Sequence, residues 1–372
     1  MEGVFITATA PPPDTIRLAI KDLFDTAGTR TTYGSAIFAD HVPNTTATAV
    51  AQLMDAGYGS VGKTNLHEFA WGITSDNPHY GRVPNPLSPG HIAGGSSGGN
   101  AAALAAGLAD AALGTDSGGS IRVPSACCGT TGFKPTYGLV PTDGCFALAP
   151  SYDHVGPMAR DVQGCIDMMR VLRPDLMIAD VDLPDLYVGV TWIGYADSLV
   201  ARRVQEAADL FPHAKTFHLP FPGDMTALFS REVAEIHTDL WRHHGEMYGA
   251  NIAYKLRDAY MRTDRDVEIS RRRRACYRDQ VDTAIAPFDL IVTPTMTTVA
   301  PPSGIDDLHL RAAVIRLTYP FNATGLPALA LPCGPAEAGL PASIQLVSRP
   351  GHDGLVLAVG RALQRAMDVN PA

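Results

Sequence analysis

Gly94 to Thr136 reads GGSSGGNAAALAAGLADAALGTDSGGSIRVPSACCGTTGFKPT, and this stretch decides how the rest of the chain is read. Two glycine-flanked serines, Ser96 and Ser120, bracket an alanine-rich segment from Asn100 to Leu108 and a short apolar run into Gly114. The alanines predict a helix, with Asn100 as its N-cap, and the apolar run predicts a strand. A helix of about nine residues climbs roughly 13 Å and a strand of about five returns roughly 16 Å, so the serines can end near one another. Glycine on either side leaves peptide N–H groups uncovered. In Thr115-Asp116-Ser117-Gly118-Gly119-Ser120, followed by a helix predicted to open at Ile121, consecutive amides can face a developing oxyanion.

Working outward, Ile16 to Phe24 predicts a strand entering a turn, and Thr45 to Ala56 has apolar residues at helical spacing. Tyr58 to Gly62 predicts a short strand that delivers Lys63 at its end, among apolar Val61, Leu66, Phe69 and Trp71. Burial there would lower the lysine pKa and leave an amine able to accept a proton. Downstream, a helix is expected over Val162 to Leu172, mainly helical structure over 198–285, strands at Leu186 to Thr191, Leu290 to Thr293, Ala328 to Leu331 and Ala342 to Val347, and a closing amphipathic helix from Leu355 to Met367. Residues 1–14, with Pro11-Pro12-Pro13, are expected to be disordered.

Several patterns compete for the chemistry. Gly94 to Gly98 satisfies G-x-S-x-G, but the proline-rich loop Pro84 to Gly90 stands where a nucleophile elbow needs a strand. Ser60-Val61-Gly62-Lys63 fits S-x-x-K, yet no Lys-Thr-Gly follows. His67-Glu68 begins a zinc-protease pattern that fails at Trp71, so no metal site is expected. Asp153-His154 could complete a triad with Ser120, although structural packing is the reading preferred. Asp116 and Arg122 flank Ser120 and can pair to brace its loop. Arg271 to Arg274 is read as a solvated helix face paired with Asp264, Asp266 or Glu268, with a substrate-carboxylate anchor as the alternative.

These blocks resemble the amidase signature hydrolases. The resemblance lies in Gly94 to Gly99, Gly114 to Arg122, Cys128-Gly129 and Lys134-Pro135-Thr136. It continues at Ile20-Lys21-Asp22, Gly62 to Ala70, Asp153 to Pro157, Thr293-Pro294-Thr295, Pro320 to Pro327 and Gln345-Leu346-Val347, and thins over 190–285. It implies an α/β fold of one compact domain over 1–372, with a central mixed β-sheet covered by helices on both faces, 94–136 as its core and 190–285 as a variable pocket region. It further implies Ser120 as nucleophile, Ser96 as the serine after a cis peptide, and Lys63 as the ultimate base. The amides of Ser117, Gly118, Gly119 and Ser120 would form the oxyanion hole.

The expected activity is cofactor-free hydrolysis of a small-molecule amide through an acyl-enzyme. The alternatives are the glutamine-hydrolysing A-type subunit of a tRNA-dependent amidotransferase, and a carbamate or ester hydrolase. The substrate itself is left open. The resemblance further implies that members usually carry additional helices before the Ile20-Lys21-Asp22 block, of which almost none are expected here, and this bears on the usual homodimer contacts and part of the substrate channel. A net charge of −9 argues against a nucleic-acid partner. Asp110 interrupts the most apolar run well short of the roughly 18 residues a bilayer needs, and the start MEGVFITATAPPPD has no basic flank, so a cytoplasmic location is expected. The six cysteines lack zinc-like spacing and are expected to be reduced.

Overall fold

In the computed structural model, which describes residues 2–367, one mixed eleven-stranded sheet runs through the molecule. Its order is Phe5–Ala8, Tyr58–Thr64, Ile16–Lys21, Ala111–Asp116, His154–Ala159, Thr131–Lys134, Ala328–Pro335, Pro341–Val347, Leu290–Pro294, Tyr187–Val190 and His213–Thr216. The strand Ile16–Lys21 lies parallel to both Tyr58–Thr64 and Ala111–Asp116, while the centre of the sheet is antiparallel.

Alternation along one strand shows how the two faces are covered. Leu18 and Ile20 pack with Val50, Ile166 and Leu357, so this face is covered by the helices Thr48–Asp55, Val162–Leu172 and Asp353–Ala366. Ala19, between them, packs with Ala101, Ala112 and Val123, under the helices Gly98–Ala105 and Arg122–Cys128. A period of two sends neighbouring residues to opposite faces. A further apolar cluster, including Phe229, Leu256 and Val281, sits between the helices of 226–285 and Ile291, Ala328 and Val347 of the sheet.

Three expectations need correction. The segment expected to be disordered, residues 1–14, is not a loose tail over its described residues 2–14, because Phe5–Ala8 pairs antiparallel with Tyr58–Thr64 and caps what would be an open sheet edge. Asn100 is not an N-cap: the helix begins at Gly98. The Asn100 side chain instead accepts from the Thr64 hydroxyl (2.5 Å) and donates to the Leu113 carbonyl (2.9 Å), tying the helix to two strands. Of the four arginines at 271–274, Arg271 and Arg272 pair with Glu268 as expected, but Arg274 is buried. It stacks on the Tyr152 ring and donates to Ser151 and the Ala323 carbonyl, so that it clamps the long helix to the Ser151 turn and the helix Tyr319–Thr324.

Candidate active site

The helix Gly98–Ala105, the strand Ala111–Asp116 and the helix Arg122–Cys128 return the chain on itself, so that the Ser97 amide donates to the Ser120 carbonyl at 3.2 Å. The Gly95–Ser96 peptide is cis. Ser96 is fully buried and Ser120 keeps 8% exposure, at the wall of a small, narrow cavity shared with Gly72, Ser117, Phe229 and Tyr319.

Asp116 shapes the turn between strand and serine. Its carboxylate accepts from the amides of Gly119 (2.7 Å) and Ile121 (3.2 Å) and from the Arg122 guanidinium through two bonds of 2.9 Å. Arg122 is fully buried, and all five of its N–H groups are used, the remainder going to the Thr318 carbonyl, Gln345 and Asn322. Burial alone would raise the Asp116 pKa, but Arg122 holds it well below the usual carboxylate range. Gly119 has φ +139°, and a Cβ there would lie 2.4 Å from the Thr318 hydroxyl, so both the backbone and the space demand glycine. Of the four amides expected at an oxyanion hole, that of Gly119 is committed to Asp116. Those of Ser117, Gly118 and Ser120 find no acceptor among the described residues.

The lysine that meets Ser96 is Lys21, not Lys63. Lys21 Nζ lies 2.7 Å from Ser96 Oγ and 2.7 Å from Thr115 Oγ1, fully buried, with no salt-bridge partner among the described residues. Burial pushes its pKa down to about 7, against smaller opposing effects from Cys145, Asp116 and Asp153. Lys63 is turned the other way. It donates to the Phe24 carbonyl and to the hydroxyls of Thr26 (3.2 Å) and Thr31 (3.0 Å), with Asp22 at 3.9 Å.

The reason is register. Ile20 pairs with Lys63 and Lys21 with Thr64, so Lys63 shares a face with Ile20, and Lys21 shares one with Ala19 and the two signature helices. Lys21 was visible in the sequence within Ile20-Lys21-Asp22, but no local feature separates two lysines that both end buried strands. Thr115 was likewise not anticipated.

The competing triad is not assembled. His154 Nδ1 donates to the backbone carbonyl of Tyr152 (2.6 Å), and burial pushes its pKa well down. Asp153 instead accepts from the Ser117 hydroxyl (2.5 Å) and from the Leu148 amide (2.8 Å). No cluster of potential metal ligands occurs among the described residues. All six cysteines are free. No described helix is long and apolar enough to cross a membrane.

The Amidase family profile covers residues 8–185 and 224–357, and the chain belongs to that family. Among its relatives, the A-type subunit of the glutamyl-tRNA(Gln) amidotransferase from Roseiflexus sp. is 35% identical over 95% of this chain and 83% of its own length. A crystal structure of an amidase superposes with TM-score 0.88 at 34% identity, covering 94% of this chain and 84% of that one. The corresponding amidotransferase chain of Thermotoga maritima gives TM-score 0.81 at 28% identity, covering 97% of this chain and 87% of that one.

Proposed function

We propose that this chain hydrolyses the C–N bond of a small-molecule amide, with Ser120 as nucleophile, Ser96 as proton bridge and Lys21 as base. The observation that carries this reading is the 2.7 Å contact between Lys21 and Ser96 on the loop whose neighbour, Ser97, is hydrogen-bonded to Ser120. Neutral Lys21 has two N–H groups and one lone pair. One N–H can be held by Thr115 while the lone pair takes the Ser96 proton, as Ser96 takes that of Ser120. Ser120 Oγ then adds to the amide carbon, and the oxyanion is met by the free amides of Ser117, Gly118 and Ser120. The lysinium returns its proton along the same path to the leaving nitrogen, giving the acyl-enzyme, and water repeats the sequence to release the acid.

Ser120→Ala should abolish acyl-enzyme formation and turnover. Unchanged labelling of that variant by a serine-directed phosphonofluoridate would end the proposal. A second reading, the glutamine-hydrolysing component of an amidotransferase, is supported by relatives at 33–35% identity that are named as amidotransferase A-type subunits. Ammonia release from glutamine, measured with the chain alone and with candidate partner chains, separates the two.

A further inference from the structure

The cavity beside Ser120 has one charged side chain in its wall, Arg311, and no acidic one. Arg311 lies on the helix Asp307–Val314, one turn before Ile315, which also faces the cavity. Its guanidinium makes no hydrogen bond or salt bridge among the described residues; it lies 5.8 Å from the centre of the Phe229 ring and feels the charge of Asp307 only at a distance. The carboxylate expected to pair with it, Asp307 at i−4, is already engaged: its oxygens accept from the Ile73 amide (2.6 Å) and from Lys255 (2.5 Å). Arg122 and Arg274, the two buried arginines, have their donors satisfied by the protein, so the free fork at Arg311 stands apart.

A partly buried guanidinium without a partner, sharing a small cavity with a candidate nucleophile, is the wall of a site for a planar anion. Resting on the reading of Ser120 as nucleophile, we infer that the substrate's acyl part carries a carboxylate that pairs with Arg311, and that it carries no ammonium group. The chemical class is therefore the monoamide of a short dicarboxylic acid. A free amino acid amide such as glutamine would bring a cation into a cavity whose only charge is positive, without a carboxylate to receive it.

The test compares kcat/KM for monoamides of three-, four- and five-carbon dicarboxylic acids with neutral amides in which a methyl group replaces the distal carboxylate. Glutamine is set against the five-carbon monoamide, from which it differs by the ammonium group alone. Wild-type protein should favour the anionic member of a pair roughly 10- to 100-fold, the range for hydrogen bonds to a charged group. In Arg311→Gln that ratio should collapse towards unity, and Arg311→Lys should restore part of it. Glutamine should be the poorer member of its pair. Equal use of anionic and neutral amides by the wild type, a ratio unchanged in Arg311→Gln, or a preference for glutamine would overturn the inference. Absence of any turnover together with absence of Ser120 labelling would instead indict the reading of the nucleophile.

Discussion

Two buried lysines, 21 and 63, sit on adjacent strands and carry different work. Lys21 has hydroxyls for neighbours and a pKa pushed down to about 7 by burial, so near neutral pH a large share is already free base. The dependence of acylation on pH should rise through about 7 and level off above it, since only the neutral amine accepts a proton. The same shift has a sign for stability. The unfolded chain keeps the lysine proton up to about 10.4, so between that value and 7 the unfolded state binds more protons, and stability due to this group increases with pH. Lys63 is a structural cation by its surroundings: burial lowers its pKa to about 8, and Asp22, with one oxygen otherwise unpartnered, opposes that fall. Lys63→Ala should therefore destabilise the fold by about 3 kcal/mol or more in denaturant unfolding, because Asp22 is left buried without its counter-charge.

At the level of elements, the glycine-rich turn from Asp116 to Ser120 is held from both ends, by the carboxylate of Asp116 and by the packing of Gly119 on Thr318. Gly119→Ala should cost about 1–3 kcal/mol of stability, since a φ of +139° is foreign to alanine. It should also lower the acylation rate by displacing Ser120, measured as the burst of the first turnover. The elements were largely legible in the chain. Helix 162–172, strand Ala111–Asp116 and the strands after residue 285 follow periodicity and turn chemistry that are local. The strand Phe5–Ala8 was not, because its support is the ladder with Tyr58–Thr64, and a proline triplet starting three residues beyond it reads locally as disorder. Asn100 misled for a related reason: its side chain serves strands far away in sequence rather than the helix it was expected to cap.

Across the whole molecule, the sequence carried the family and the mixed sheet, while the identity of the lysine that meets Ser96 depended on a register between strands some forty residues apart. Nothing in Lys63 or its apolar neighbours reveals which face of the sheet it occupies. Arg311 escaped notice for a similar reason, since its solitude depends on Asp307 being held by Lys255 and the Ile73 amide. The substrate question also belongs to this scale. If the chain works alone on a small amide, adding candidate amidotransferase partner chains should leave ammonia release unchanged, whereas a marked gain with glutamine as substrate would favour the assembly reading.

The relay itself is tested most directly by pre-steady-state acylation of Ser120 in Lys21→Ala and Lys63→Ala, each measured on the folded fraction. Removal of Lys21 should slow acylation roughly 100- to 10,000-fold, the range for a positioned general base, and flatten the rise near pH 7. Folded Lys63→Ala should retain that rise. The opposite outcome, with acylation surviving the loss of Lys21 and vanishing with Lys63, would contradict the account.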